Sequence, residues 1–289
     1  MLADPLLALA AEVLDDLERV RVANENRLRQ LTRTDEDSDG EERGFGLPMG
    51  HPDVARLAAL VKGLADAEHQ AELNLNRQMR QHPLWPWVRS VRGVGQKQAA
   101  RLLAAIGDPY WNDLYGRPRM VSELMSYCGY GDPERQVLRR GQKVNWSPAA
   151  KMRTHLIAKS IVKQLVKPCH SIKGEGGLVA YTVHVEGECS CSPYRPLYDQ
   201  EKARYAGSTH PVECHRCTPK NAPPAPVGSP RKGAHIEAIA LRAVSKAILK
   251  DLWREAKRHH ELPGGQRSFD THHVDAAGDT SPPEPGDPA

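Results

Sequence analysis

The 289-residue chain has few aromatic residues and lacks long apolar runs, and each of these features limits what kind of protein it can be. Aromatic residues make up 5% with only two Phe, so the core must be built from Leu, Val, Ile and Ala. No apolar run approaches the ~18 residues that a membrane span requires. No basic segment followed by an apolar stretch opens the chain, so no secretion signal is expected, and the cytoplasm is the expected location. Six cysteines in such a protein favour metal binding over a disulfide framework.

Acidic residues are missing from a long internal interval, although the net charge is only +4. Between Arg135 and Lys173 there is no Asp or Glu, whereas Arg and Lys recur throughout. A basic interval of this length suggests a polyanionic partner. A solvated helix face is an equally good interpretation for the lysines from Lys159 onward.

The most specific pattern in the chain is a two-glycine turn between two short helices, in the run Val91–Ile106. The backbone N–H groups of Val94 to Lys97 would point outward at a helix N-terminus, which is a ready anion site. This is the pattern of a helix-hairpin-helix, which grips the DNA backbone without reading bases. A plain glycine turn between two core helices is the alternative. The residues expected to contact DNA are Arg92, Gly93, Val94, Gly95, Gln96, Lys97, Arg101, Arg139, Arg140, Lys143, Lys151 and Arg153.

Two amphipathic seams predict an antiparallel helical hairpin, coiled-coil-like, over residues 1–82. Both seams alternate three- and four-residue steps, and each is broken once by polar residues. Folding the two helices back on each other places Arg21 of the first opposite Glu68 of the second. Ordinary core stripes fit the same pattern. The seams run through Leu7, Ala10, Leu14, Leu17, Arg21, Asn24, Leu28 and Leu31, and through Val54, Leu57, Val61, Leu64, Glu68, Ala71 and Leu75.

The rest of the chain divides into four regions, and the fold class predicted for the whole is mainly α. Residues 83–168 form the helix-hairpin-helix region, ending in a helix that Ser147 and Pro148 start and that continues to Lys167. Residues 169–230 are an irregular, cysteine-bearing insert that ends in a stiff Pro-rich linker from Ala222. A closing helix occupies 231–260, and 261–289 is expected to be a disordered tail.

Two close cysteine pairs in the insert predict a small structural zinc site. Cys189 and Cys191 are separated by twenty-two residues from Cys214 and Cys217. Zinc takes four soft ligands in a tetrahedron, and each short pair supplies two of them. A metal would also explain how a segment poor in apolar residues holds its shape. Substitute ligands are Cys169, His170, His184 and His215, whereas Cys128 follows an apolar helix and reads as a buried small residue.

The order of these elements resembles a known domain. Gly93-Val-Gly95 followed by the Ala/Leu helix to Pro109, then Leu124–Tyr130 and an Arg-rich turn, resembles the C-terminal domain of DEDD-type insertion-sequence transposases and Piv-like DNA invertases. Arg195–Tyr198 and the last helix are similar to the closing helices of that domain. The resemblance covers about residues 85–257 and implies a DNA-binding, recombination-associated protein.

Two groups of catalytic residues that the family carries, acidic metal ligands and a nucleophilic serine, are not recognised in this chain. No counterpart of the RNase H-like domain is recognised, because residues 1–82 contain no strand-like alternation to carry its acidic metal ligands. The family's nucleophilic serine has no equivalent in Glu134–Lys143, which contains no Ser. Ser147 is the nearest hydroxyl, and its place before Pro148 marks it as a helix cap. No activating base can be argued beside it.

The function expected from these observations is a transposase-like nucleic-acid-binding protein without its own catalytic centre. DNA is the expected partner, structured RNA is an alternative target, and no membrane partner is expected. A second hypothesis is an active transposase or site-specific recombinase that works with a separate catalytic subunit. A third treats the chain as an assembly module that forms homo-oligomers through residues 5–78.

Overall fold

The structure is a computed structural model that describes residues 2–35, 40–41, 43–132, 143–173, 179–219 and 221–262. The described chain is mainly helical, as the sequence predicts. The predicted tail lies outside the described residues from position 263. The helices are α1 (Pro5–Thr32), α2 (Pro52–Gln81), α3 (Trp85–Ser90), α4 (Gln96–Ile106), α5 (Val121–Tyr127), α6 (Pro148–Lys163), α7 (Arg195–Tyr205) and α8 (Gly233–Glu261). Two antiparallel strand pairs join β1 (Trp111–Asn112) to β2 (Arg117–Pro118) and β3 (His170–Lys173) to β4 (Val179–Val183).

Helices α1 and α2 form the predicted antiparallel helical hairpin. Asp4 caps α1 by accepting hydrogen bonds from the Leu6 and Leu7 amides. Near the middle of the hairpin, Arg21 Nε donates to Glu68 Oε2 at 2.5 Å. At its open end, the ring of His82 bonds the Leu2 carbonyl at 2.9 Å. These two contacts fix the antiparallel register, and the pairing of the two polar seam positions is confirmed.

One hydrophobic cluster joins the open end of the helical hairpin to the other helices. It contains Leu7 and Leu14 of α1, Met79 of α2, and side chains of α4, α5, α6, α7 and α8. Helix α4 contributes Leu102, Leu103 and Ile106, each less than 5% exposed. Helix α4 is therefore held between the helical hairpin on one side and α6 on another.

Helix α6 is shorter than the sequence predicts. Ser147 caps it, because its Oγ accepts from the Ala150 amide at 3.2 Å. It ends at Lys163 rather than Lys167. Past the C-cap Gln164, the Val166 N–H donates to Cys191 Sγ at 3.3 Å, so the chain that follows α6 is in contact with the cysteine-bearing segment.

The insert is more regular than predicted. The prediction of an irregular 169–230 segment is wrong, because it contains the β3–β4 pair and α7. The Pro-rich stretch from Ala222 is not a free linker either. Its Ala225 exchanges backbone hydrogen bonds of 3.0 Å with Cys214, and His210 bonds Ser229 at 2.9 Å. Backbone pairing holds the stretch against the preceding segment.

In the described part of the chain, no helix is both long enough and apolar enough to cross a membrane.

Candidate metal centres and nucleic-acid interface

The turn between α3 and α4 is built on two glycines with different surroundings. Gly93 has φ +90°, a conformation that favours glycine. A Cβ at Gly93 would lie 2.8 Å from the Ile161 Cα of α6, so the turn is seated directly on that helix. Gly95 has an ordinary φ of −70°, is exposed, and would place a Cβ in open space. One glycine therefore serves packing, while the other leaves the start of α4 accessible.

The amides at this turn are engaged in part. The Val94 N–H donates to the Val91 carbonyl at 3.1 Å and closes the turn internally. Gly95 is the N-cap of α4 and supplies no side-chain cap. Among the described residues, no acceptor is bonded to the Gln96 or Lys97 amide. These amides form an open helix N-terminus of the kind that attracts anions.

The cations predicted to assist the turn are mostly neutralised by the helical hairpin. Lys97 Nζ lies 2.6 Å from Glu72 Oε2. Arg101, whose side chain is 2% exposed, pairs with Asp15 at 2.8 Å and Glu18 at 2.5 Å. Burial opposes ionisation of Glu18, but the hydrogen bond and charge of Arg101 hold its pKa below the usual value.

Arg153 of α6 also turns inward. Its side chain is 11% exposed and lies 2.8 Å from Asp15. Arg101 and Arg153, both predicted to contact DNA, are instead buried and paired with carboxylates of α1. A phosphate could reach either only by displacing those carboxylates.

Of the other predicted contact residues, Val94 is buried and the Gln96 side chain donates to the Asn76 carbonyl, whereas the cations are more accessible. Arg92 is exposed, and its guanidinium donates to the Ser190 carbonyl at 2.9 Å. Lys143 is exposed and Lys151 is half-buried. Arg139 and Arg140 lie outside the described residues.

The structure places the Cys and His residues in two clusters. The first Cys/His cluster consists of Cys169, His184, Cys189 and Cys191, whose ligand atoms all lie within 4.8 Å of one another. Tetrahedral coordination with Zn–S bonds of ~2.3 Å places ligand atoms about 3.8 Å apart, so the spacing fits. His184 Nδ1 lies 3.4 Å from Cys189 Sγ. A backbone hydrogen bond at Cys191 and the ring of His184 lower the pKa of Cys189 to about 7.

The groups around the first cluster orient its histidine. His184 Nε2 lies 3.1 Å from a carboxylate oxygen of Asp199. Asp199 is in turn held by Arg195 Nε at 2.8 Å and by the Thr182 hydroxyl at 3.0 Å. A carboxylate that accepts from one ring nitrogen leaves the other nitrogen free to bind metal, a recurrent arrangement around zinc-bound histidines.

The second Cys/His cluster consists of His210, Cys214, Cys217 and His235. His235 Nδ1 lies 3.4 Å from Cys217 Sγ and 3.6 Å from Cys214 Sγ. The His210 side chain is buried, and its Nε2 has no hydrogen-bond partner in the described part of the chain. A buried nitrogen without a partner is costly unless something absent from the protein atoms satisfies it. A metal ion at this position would do so.

The predicted single four-cysteine site is therefore wrong. Cys189 and Cys191 belong to the first cluster, whereas Cys214 and Cys217 belong to the second. The substitutes Cys169 and His184 are members of the first cluster, but His170 and His215 belong to neither. Sequence reasoning missed His210 and His235 as members of the second cluster. His210 lies just before Cys214 in the sequence and could have been considered with it, whereas His235 lies at the start of α8.

Ser147, the weak catalytic candidate, is placed as the N-cap of α6. Its Oγ accepts from a backbone amide, which is the capping role that its sequence context predicts.

Comparison of the chain with protein families, with curated proteins and with solved structures gives no match.

Proposed function

We propose that this chain is a transposase-like nucleic-acid-binding protein that contacts the phosphate backbone of DNA. The contact surface comprises the open start of α4 and the basic side of α6. Arg101 and Arg153 are not part of it. Two structural zinc ions hold the segments that flank this surface.

The observation that carries the proposal is the charge of α6. Its sixteen residues include no acid and four cations. Of these, Arg153 is paired with Asp15. Lys151, Lys159 and Lys163 form no ion pair with any described residue, and the last two are exposed. A helix that carries no acid and keeps exposed, unpaired lysines presents a local positive potential to solvent.

The same helix links the basic side to the Gly93 turn. Ile161 lies against Gly93, so the C-terminal half of α6 supports the turn, while Lys159 and Lys163, two positions to either side of Ile161, project from other faces of the helix into solvent. Sixteen residues of α-helix span roughly 24 Å. At 3.4 Å per base pair, this length corresponds to about seven base pairs of duplex. The geometry therefore suits several phosphates in succession rather than a single contact.

Salt-dependent binding tests the α6 surface directly. The wild-type chain should bind duplex DNA with a log–log salt slope of about −0.9 per phosphate neutralised. The Lys159→Ala, Lys163→Ala double variant should reduce the magnitude of that slope by about two units. Lys62→Ala, at an exposed position of α2, is the matched control and should change nothing.

Equal slopes for the wild type and the double variant would contradict the proposal. A structured RNA hairpin titrated in parallel decides between the two nucleic acids. Tighter binding of RNA than of duplex DNA at the same salt concentration would move the assignment to RNA.

The turn is tested by Gly95→Val. A Cβ at Gly95 would meet no protein atom within 4 Å, so we expect the fold to tolerate a side chain there. It would nevertheless stand in front of the open amides of α4. We expect unchanged thermal stability and a several-fold loss of duplex affinity in gel shifts. Unchanged affinity would remove the turn from the contact surface.

The metal proposal rests on the donor sets. Each cluster offers four protein ligands of the types that zinc prefers, Cys₃His in the first and Cys₂His₂ in the second. Four protein ligands leave no open position for water, so these ions would support structure rather than catalysis. The first cluster would tie the end of α6 to α7, and the second would tie the 210–217 segment to α8.

Metal content distinguishes two sites from one. The purified chain should contain two zinc ions. Cys189→Ser and Cys214→Ser should each leave one, and the double variant should leave none. In a single four-cysteine site, the wild type would contain one ion and each single variant would lose it. Elemental analysis alongside protein quantification separates these outcomes.

A specific observation also favours self-association as a second function. Three apolar side chains lie exposed on one side of α1, namely Leu6 at 63%, Leu9 at 58% and Val13 at 46%. Exposed apolar patches on helices are common at protein–protein contacts. Size-exclusion chromatography with light scattering should show an oligomer that Leu9→Glu converts to a monomer. A monomeric wild type at high concentration would exclude this role.

A further inference from the structure

A cleft of about 430 Å³ opens at the N-terminal end of α6, away from the Gly93 turn. It is bounded by α6, by α8, by the segment before α6 and by the short 3-10 helix His215–Cys217. The side chains that matter for its chemistry are Tyr130, Trp146, Lys151, His155, Arg216 and Arg242.

Three cations from three separate elements converge on this cleft. Lys151 comes from α6, Arg242 from α8 and Arg216 from the turn between Cys214 and Cys217. Arg242 is held in place, because its guanidinium donates to the Gly131 carbonyl at 2.7 Å. Lys151 Nζ lies 4.7 Å from the centroid of the Trp146 ring. Two of the three positive charges therefore have defined positions.

No carboxylate of the described chain forms an ion pair with any of these cations. Burial first, and then the charges of Arg242 and Arg216, lower the pKa of Lys151. Burial also lowers the pKa of Arg242, with a further contribution from Arg216. Glu237 acts electrostatically on the neighbouring His155, but it is exposed and joins no ion pair in the described chain. The cations thus repel one another, which costs free energy unless an anion relieves it.

We propose that this cleft binds a phosphate ester of about nucleotide size. Arginine and lysine together provide the charge and the directed donors that phosphate oxygens accept. The volume exceeds that of a bare phosphate and lies in the usual range for small-ligand sites. Tyr130 and Trp146 supply apolar surface for the esterified group. The ester is either a free nucleotide or a nucleotide of a bound strand.

Arg216 ties the cleft to the second Cys/His cluster. Arg216 lies between Cys214 and Cys217 in the sequence, so a metal ion bound by these cysteines would fix the turn that carries it. Metal removal should therefore weaken binding of the phosphate ester, although the metal ion itself would not contact the ester. This site is distinct from the proposed backbone contact at the Gly93 turn, and each can fail without the other.

Calorimetric titration of the metal-loaded full chain with adenosine 5′-monophosphate tests the inference, with adenosine as the matched ligand that lacks phosphate. We expect binding of the monophosphate at least tenfold tighter than that of adenosine. Arg216→Ala and Lys151→Ala should each weaken it by about tenfold. Arg216 is exposed, so its removal should leave the fold intact. Arg89→Ala on α3 is the control and should have no effect.

The inference is overturned if the two ligands bind alike, if neither binds, or if both cleft variants retain wild-type affinity. A 5′-phosphorylated single-stranded oligonucleotide and its 5′-hydroxyl counterpart identify the source. Tighter binding of the phosphorylated strand than of the free nucleotide assigns the cleft to a strand end. If neither strand displaces the bound nucleotide, the cleft is assigned to a free nucleotide.

Duplex binding measured on the same variants separates this inference from the proposed function. Salt-sensitive duplex binding without nucleotide binding would defeat the cleft alone. Nucleotide binding that depends on Arg216, without any duplex binding, would defeat the proposed function alone.

Discussion

Gly93 and Gly95 are two positions apart, and an added methyl group should destabilise the fold at Gly93 but not at Gly95. Gly93→Ala places a Cβ 2.8 Å from the backbone of Ile161 at a φ of +90°. Backbone strain and overpacking together should reduce the free energy of unfolding by roughly 2–4 kcal/mol. Gly95→Ala should change it by less than about 0.5 kcal/mol, as at an ordinary surface position. Urea denaturation measures both.

Equal losses for the two variants would mean that Gly95 also packs against the fold. Such a result would further undermine the use of Gly95→Val as a probe of nucleic-acid contact.

His82 makes stability depend on pH. Its Nδ1 accepts from the Leu84 amide at 3.1 Å, so its Nε2 must donate to the Leu2 carbonyl and the ring is neutral. Burial lowers its pKa from 6.5. The unfolded chain therefore takes up the proton first, and the stabilisation present above pH 6.5 is lost as the pH falls towards the folded-state pKa.

Comparison with His82→Gln isolates this contribution, because the other histidines are common to both chains. The wild type should lose more stability than the variant between pH 7 and pH 5, as measured by denaturant unfolding. Parallel pH profiles would show that His82 titrates alike in the folded and unfolded states.

Arg101 and Arg153 show why single residues are hard to assign from sequence. Both lie among other basic residues in the sequence, and no neighbouring residue in the sequence indicates which carboxylate will pair with them. Their partners Asp15 and Glu18 lie more than eighty residues away, on α1. The local sequence around a cation on a helix face is the same whether that cation faces solvent or pairs with a distant carboxylate. Only the packing of α1 against α4 and α6 decides between them.

The helical hairpin was predictable because its signal is local and repeated. Each helix carries a heptad seam with a single polar interruption, and antiparallel folding brings the two interruptions together. The insert offered no such repetition. Its cluster members Cys169, His210 and His235 are scattered in sequence, and short cysteine spacings suggested one four-cysteine cluster where the structure has two Cys/His clusters. Spacing reveals which residues are near in sequence, whereas coordination depends on which are near in space.

The register of the helical hairpin can be measured. A double-mutant cycle on Arg21→Ala and Glu68→Ala should give a coupling of roughly 1–2 kcal/mol, because the pair is partly buried at 21% and 12% exposure. The exposed pair Arg19 and Asp16 on α1 should give less than about 0.5 kcal/mol. Similar couplings for both pairs would indicate that burial between the helices adds nothing.

At the scale of the whole molecule, the two Cys/His clusters and the hydrophobic cluster should behave as separate sources of order. Chelation of zinc should remove hydrogen-exchange protection from about residues 166–173, 179–191, 208–219 and 221–235. Protection in α1, α2 and α4 should persist, because these helices pack through Leu, Ala and Met side chains. Loss of protection throughout the chain would show that the core itself depends on the metal.

The carboxylates of α1 have a practical consequence for anyone who shortens this chain. A version beginning at Pro83 would leave Arg101 and Arg153 without Asp15 and Glu18, and Lys97 without Glu72 of α2, and would expose all three cations to solvent. Such a fragment should stick to heparin and to any polyphosphate more tightly than its parent does. The tighter binding would be an artefact of truncation, and it would mimic the nucleic-acid binding proposed for the whole chain.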